Sequence, residues 1–336
     1  MDDWLKDIKN ETVLKAALKS KAILARHSRI AVSISGGADS DVMLDLIERT
    51  KGDRNVRYIW FNTGIEYEAT KEHLNYLENR YQIEIERIRS KKPVPYCVHE
   101  YGIPFKSKYA SDMLGRLQDH GFKFEDRPFE ELIQEYPNCQ RALMWWCNRN
   151  VTHAGITGRF NIYRNPWLKE FLIANPPDFK ISNKCCTYAK KEVAHRFVSE
   201  NSIDLSVIGV RQAEGGVRAA TKTCFSEGEH SDTFRPIFWF SNEDKQYYDE
   251  TFGIVHSACY TKYGLKRTGC VGCPFALDFE GNLEATRQNE PRLYKACCNV
   301  FGPSYEYTRA FLSFRREMND KKKNPDQTTM FELGMI

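Results

Sequence analysis

The run at residues 30–34 is short, apolar and flanked by polar positions. That pattern predicts a strand buried inside a parallel sheet. Further strands are predicted at residues 56–61, 83–88 and 205–210. Between the first two, Val42, Met43, Leu44, Leu46 and Ile47 predict a helix reaching about Thr50, and another helix is expected from about residue 69 to 80. Strand and helix alternating at this spacing predict an α/β fold: a Rossmann-like, doubly wound, mostly parallel sheet. Residues 1–28 read as a helical cover, with Leu14, Ala17 and Leu18 on one face. From residue 90 to 180 the pattern loosens around Lys91, Lys92, Lys106 and Lys108, interrupted by Pro93, Pro95 and Pro104. Met144-Trp145-Trp146-Cys147 within it reads as a core patch. A helix is expected over 187–201, and a capping box at Ser241-Asn242-Glu243-Asp244 starts one reaching about Phe252. From about residue 283 two helices are expected, followed by a solvated, partly disordered tail containing Lys321, Lys322 and Lys323.

The first predicted strand runs into Ser35-Gly36-Gly37-Ala38-Asp39-Ser40. A strand, a glycine turn and a helix start together make an anion site. Glycine lets the backbone approach a phosphate, and the free N–H groups of the first helical turn point at it. No Gly-Lys-Ser/Thr follows, so this is not a Walker loop, and it is not a Gly-x-Gly-x-x-Gly pattern. The second strand ends in the polar turn Asn62-Thr63-Gly64-Ile65-Glu66, at the sheet edge where open parallel sheets bind ligands. The fourth ends at Gly209-Val210-Arg211, and Arg211 and Arg218 flank a glycine-rich turn suited to an oxyanion.

The chain has 336 residues and a formal net charge of +4. That balance suits a phosphate-rich small substrate as well as nucleic acid, and singles out neither. No apolar run approaches a membrane span, and the start Met-Asp-Asp-Trp-Leu-Lys lacks a signal-peptide layout, so a cytoplasmic location is expected. Eleven cysteines include the pairs Cys185-Cys186, Cys270-x-x-Cys273 and Cys297-Cys298. In a reducing compartment such pairs point to metal or redox chemistry before disulfides. Cys185, Cys186, Cys270 and Cys273 form a candidate four-thiolate set for zinc or an iron–sulfur cluster. Cys259 is a rival ligand, and Cys297-Cys298 reads as helix packing.

Ser35 to Ser40, Asn62 to Glu66, Lys184-Cys185-Cys186, Gly209-Val210-Arg211-x-x-Glu214-x-x-x-Arg218 and Gly269-Cys270-Val271-Gly272-Cys273 together resemble the phosphoadenosine phosphosulfate (PAPS) reductase family. This family lies within the adenine nucleotide α-hydrolase, or pyrophosphate-loop, superfamily. The resemblance implies an adenine nucleotide across the carboxyl edge of the sheet, held by Ser33, Ser35, Gly36, Gly37, Asp39, Ser40, Asn62, Thr63, Gly64, Glu66, Gly209 and Arg211. Asp39, Arg211 and Arg218 are the candidate catalytic residues. The cysteine set resembles the branch that carries a 4Fe-4S cluster, such as adenylylsulfate reductases. Asn62 stands where many members have Asp, and the Glu-Cys-Gly-Leu-His-like segment of the reductases has no counterpart. The ATP pyrophosphatases of DNA phosphorothioation resemble the chain in loop and cysteines and lack that segment too.

The implied division is a cover at 1–28, a pyrophosphate-loop nucleotide-binding domain at 29–255, and a cysteine motif with C-terminal helices at 256–336. The leading expectation is an enzyme that takes ATP with Mg²⁺, substitutes at the α phosphorus and releases pyrophosphate during sulfur transfer. One alternative is reduction of adenylylsulfate or its 3′-phosphate to sulfite. Another is a non-catalytic nucleotide- or nucleic-acid-binding protein with a structural metal. Expected partners are an adenine nucleotide, a sulfur donor such as a cysteine desulfurase or thioredoxin, DNA as acceptor, no membrane, and a second copy of the chain in a homo-oligomer.

Overall fold

Ile30, Ala31 and Val32 are buried and paired on both sides, at the middle of a six-stranded sheet. The strands are β1 (Ile30–Ser33), β2 (Val56–Asn62), β3 (Ile85–Arg89), β4 (Leu205–Ile208), β5 (Phe225–Ser226) and β6 (Asp232–Phe234), in the order β3-β2-β1-β4-β6-β5. Every pairing is parallel except β5 with β6. Side chains alternate between the two faces, and both faces are covered. Ile30, Val32, Tyr58 and Trp60 join one apolar core, while Ala31 and Ile59 join a second with Phe197 and Ile203. That double burial is why β1 reads as an unbroken apolar run. The expected strands are all present. β5 and β6, of two and three residues, are additions too short and polar to leave a pattern.

This computed structural model describes residues 3–151, 155, 158, 160–215 and 221–323. The chain divides into two units, not into the three consecutive segments expected from the motifs. One takes Met1–Val94, Tyr188–Val271 and Gly281–Tyr294 and holds the sheet; the other takes Pro95–Thr187, Gly272–Glu280 and Lys295–Ile336. The division passes through the Cys270–Cys273 motif.

In the sheet unit, helices Ala38–Thr50, Glu68–Tyr81 and Asn242–Phe252 match the predicted ones closely. Ser241 and Asp244 form the expected capping box. The N-terminal cover is helical at Asp3–Lys6 and Glu11–Leu24, with Asn10 accepting from the Val13 amide at 3.0 Å.

The second unit accounts for the stretch where the pattern loosened. It is helical at Lys108–Asp119, Phe129–Glu135, Gln140–Trp146 and Leu168–Ala174. Most of these helices are only two turns long, too short to display a helical period. They surround their own core, in which Trp145 and Trp146 are buried with Met113, Leu143, Phe171 and Phe311. The aromatic patch is therefore core, as read. Lys321, Lys322 and Lys323 belong to the helix Pro291–Lys323, and the rest of the expected tail lies outside the described residues. Lysines there suit the negative end of the helix dipole.

The helix behind the glycine turn is fastened by Asp45, whose side chain is 2% exposed. Its carboxylate accepts from Arg49 Nε at 2.5 Å, Tyr81 Oη at 2.9 Å and Tyr248 Oη at 2.8 Å. Burial and the Asp45 charge both raise the two tyrosine pKa values, so both stay donors. Replacing Asp45 with Ala leaves one partly buried cation and two hydroxyls without their acceptor. Urea denaturation followed by circular dichroism should show a loss of about 3–5 kcal/mol. Leu18→Ala on the exposed cover should stay within about 0.5 kcal/mol.

Candidate active site

β1 has β2 on one side and β4 on the other, so the connections leaving β1 and β4 diverge at the carboxyl edge. In doubly wound sheets a crevice forms at that switch point. Here the loop after β1 meets the end of β4 at Gly209. A Cβ on Gly209 would lie 3.1 Å from Ser40 Cα and 3.2 Å from the Asp39 carbonyl oxygen. Only glycine lets the two segments come this close.

Two cavities open at this edge, both within the sheet unit. The larger, about 490 Å³, is bounded by the loop at Ser35, Gly37, Ala38, Asp39 and Ser40 and by Gly209, Arg211 and Glu214. Its far wall is Lys245, His256, Tyr260, Lys266, Arg267 and Thr268. Five basic side chains thus face two carboxylates. The smaller, about 340 Å³, has an apolar wall of Ile34, Trp60, Phe61 and Ala194, with Ser33, Glu66, Thr70, Lys190 and Lys191. Ser35 and Thr268 border both.

The turn itself is built by local hydrogen bonds. Gly36 turns through φ +68°. Ser40 Oγ accepts from the Ser35 amide at 2.9 Å, and Ser35 Oγ accepts from the Gly37 amide at 3.2 Å. Gly37 precedes the helix Ala38–Thr50 with no side-chain cap of its own; the Ser40 and Asp41 amides turn back to the Gly37 carbonyl, and the Ala38 amide donates to Tyr260 Oη.

Arg211 does more than the sequence assigned to it. Its Nε donates to Asp39 Oδ1 at 2.9 Å, and its Nη1 lies 3.1 Å from both the Ser241 carbonyl and Asn242 Oδ1. The guanidinium is buried and ties the glycine loop to the start of Asn242–Phe252. Burial pushes the Asp39 carboxyl above the usual range, and Arg211 offsets this only in part. Arg218 lies outside the described residues.

The turn after β2 has a supporting role. Asn62 Oδ1 accepts from the Gly64 amide at 2.8 Å, and buried Thr63 donates to Glu66 Oε1 at 2.5 Å. Burial raises the Glu66 carboxyl, against the hydrogen bonds from Thr63. Of this turn, Glu66 reaches a cavity wall; Asn62, Thr63 and Gly64 hold its shape.

Lys245 and His256 were not foreseen. His256 Nδ1 is 2.8 Å from Asp41 Oδ2 and its Nε2 is 3.1 Å from Asp249 Oδ2, while His73 Nε2 is 2.9 Å from the other Asp41 oxygen. Lys245 donates to Asp249 as well. Burial works against a charged His256, but the hydrogen bonds to Asp249 and Asp41 outweigh it and raise the pKa to about 9. The cavity wall therefore carries an imidazolium at neutral pH.

The cysteines are divided. Cys185, Cys186 and Cys273 belong to the second unit, and Cys259 and Cys270 to the sheet unit. Cys185 and Cys186 lie in a helical turn, Lys184–Cys186. Cys270 Sγ is 3.6 Å from Thr63 Oγ1. Cys259 is buried within Ala258–Thr261, 3.7 Å from Thr70 Oγ1, and burial raises its pKa, the environment of a packing thiol. Thiolates suit zinc or a 4Fe-4S cluster chemically. Among the described residues, however, no three His, Cys, Asp or Glu side chains gather as a metal requires.

Residues 29–121 match the family described as Phosphoadenosine phosphosulfate reductase domain. The resemblance read from the glycine loop is borne out over that segment, which runs from β1 past β3. No curated protein matches the chain. A PAPS reductase from Candida auris, in a phosphate complex, is similar at 12% identity and a TM-score of 0.40, over 79% of this chain and 96% of that one. The U34-tRNA thiolase NcsA from Methanococcus maripaludis, with its 4Fe-4S cluster, aligns at 14% identity and a TM-score of 0.36, over 88% and 78%. An NH3-dependent NAD synthetase from Campylobacter jejuni, in complex with nitrate, aligns at 13% and 0.36, over 89% and 95%. No functional argument rests on these distant likenesses.

A raised histidine pKa ties stability to pH. The folded value of about 9 exceeds the ordinary 6.5. The contribution of His256 is therefore complete below pH 6.5 and is lost as pH rises through about 9. Thermal melts from pH 6 to pH 10 should show this loss, and His256→Gln should flatten it. An unchanged slope in the variant would contradict the assignment.

Proposed function

We propose that this chain, whose residues 29–121 match the PAPS reductase domain, is an enzyme that binds ATP and substitutes at its α phosphorus with release of pyrophosphate. The observation that carries this reading is the charge of the larger cavity. Five basic side chains line it beside the N-terminus of the helix Ala38–Thr50. That surround suits a multiply charged leaving group. The smaller cavity, with Trp60, Phe61 and Ile34 on its wall, suits adenosine. Ser35 and Thr268 border both, so a bound ATP would carry its α phosphorus between them.

In this reading an acceptor oxygen attacks the α phosphorus. The bond to the α–β bridging oxygen breaks, and its electron pair leaves with pyrophosphate. The loop amides, Lys245 and the charged His256 balance the growing negative charge. Arg211 holds Asp39 in place, and Asp39 would hold a Mg²⁺ arriving with the ATP, which would supply further positive charge to the leaving group. Sulfur then displaces AMP from the activated acceptor. DNA is the first acceptor to test, by the resemblance to phosphorothioation enzymes, with a cysteine desulfurase or thioredoxin as donor.

The domain match favours a second reading, thiol-dependent release of sulfite from adenylylsulfate or its 3′-phosphate. One assay separates the two. Purified protein with ATP, Mg²⁺, DNA and a sulfur donor should release pyrophosphate. Ser35→Ala and Lys245→Ala should lower kcat/KM about tenfold or more. Sulfite from a sulfonucleotide, with no pyrophosphate from ATP, would replace this reading with the second. Phosphate release alone, untouched by Gly37→Val, would reject both.

The cysteine cluster is tested separately by metal analysis of anaerobically purified protein. Bound iron with visible absorbance, reduced in Cys270→Ser, is the expected outcome of the resemblance. Metal-free protein would end that expectation.

A further inference from the structure

The segment between Cys259 and Cys270 bends back onto the glycine loop. Leu265 and Val271 are its buried anchors: the Leu265 amide donates to the Cys259 carbonyl at 3.0 Å, and the Val271 amide donates to the Ile65 carbonyl at 3.1 Å. Between these anchors, Lys266, Arg267 and Thr268 in succession border the larger cavity. Arg267 is steadied by Glu214 at 3.2 Å.

Within this segment two hydroxyls sit over Gly37. Tyr260 Oη and Thr268 Oγ1 are 3.1 Å apart, and the Thr268 amide donates to Tyr260 Oη at 3.3 Å. A Cβ built on Gly37 would meet Thr268 Oγ1 at 3.1 Å, Ser35 Oγ at 3.1 Å and Tyr260 Oη at 3.3 Å. Three hydroxyls thus converge on Gly37, where Ser35 Oγ accepts from the Gly37 amide and Tyr260 Oη accepts from the Ala38 amide. That space is denied to any side chain at position 37. Burial raises the Tyr260 pKa, so the phenol keeps its proton and remains a donor. The arrangement is fixed before any ligand arrives, because both ends of the segment are pinned and Tyr260 belongs to the helix Ala258–Thr261.

We propose that Tyr260 and Thr268 are phosphate-binding residues that cap the glycine loop and donate from the wall of the larger cavity to the pyrophosphate end of the nucleotide. The inference rests on the ATP reading above and assigns to it two residues outside the glycine-loop motif. The chemistry is that of an oxyanion cradle: two pre-positioned hydroxyl donors beside a helix N-terminus, with cations around them. Thr268 borders both cavities and so stands at the α–β junction; Tyr260 borders only the larger.

Calorimetric titration of the full chain with inorganic pyrophosphate, ATP and adenosine tests this. Tyr260→Phe and Thr268→Val should each weaken pyrophosphate and ATP binding about tenfold while adenosine affinity stays within about twofold, as for loss of one hydrogen bond to a charged ligand. Thr268→Ser should restore most of the affinity lost in Thr268→Val. Melting temperatures of the variants check that the fold is kept, and a variant that fails to fold is replaced by Tyr260→Trp or Thr268→Ala under the same criteria. If Ser35→Ala weakens pyrophosphate binding and the Tyr260 and Thr268 variants do not, the cap is wrong and the ATP reading stands. If the unaltered chain binds neither pyrophosphate nor ATP, the cap and the reading fall together.

Discussion

The ion pair between Asp39 and Arg211 joins the two segments that diverge at the carboxyl edge of the sheet. Arg211 follows β4 and Asp39 sits in the first turn after β1, 2.9 Å from Nε to Oδ1. Both are largely buried, so each charge is costly without the other. The pair, with the close approach at Gly209, sets the width of the crevice. The same guanidinium reaches the start of the helix that carries Lys245. One side chain thus couples the glycine loop, the end of a central strand and a cationic wall.

Behind that wall the charges are balanced by burial of opposite sign. Asp41 lies between His73 and His256, and Asp249 between His256 and Lys245. These carboxylates keep cations in place where a cavity of like charges would otherwise repel them. The price is paid in pH range, since the arrangement depends on a protonated His256. A polyanion entering the cavity finds donors already oriented and needs little rearrangement around it.

Much of the architecture was legible because its causes are local. A strand buried on both faces must be apolar, and β1 is; a glycine turn before a helix must find acceptors for its amides, and Ser40 Oγ and Ser35 Oγ serve those of Ser35 and Gly37. The capping box at Ser241 was equally plain. Arg211 was visible as a strand-end arginine, but its ion pair with Asp39 is a tertiary fact across 172 positions. The cationic wall was invisible for the same reason. Lys245 looks like any helix lysine, and His256 takes its charge from carboxylates distant in sequence. Residues 260–268 form no motif of their own between Cys259 and Cys270, and the place of Tyr260 and Thr268 over Gly37 is a tertiary fact. Helical periodicity also failed over residues 129–174, where the helices Phe129–Glu135, Gln140–Trp146 and Leu168–Ala174 are each about two turns long.

The central claim is that the glycine loop, with the hydroxyls and cations beside it, grips the leaving-group end of ATP. A structure of the protein with α,β-methylene-ATP and Mg²⁺ addresses it most directly. The account predicts the β and γ phosphates in the larger cavity beside the glycine loop, Lys245 and His256, with adenine against Trp60 and Phe61. Phosphates placed elsewhere, or an analogue that leaves the crevice empty at saturating concentration, would contradict it.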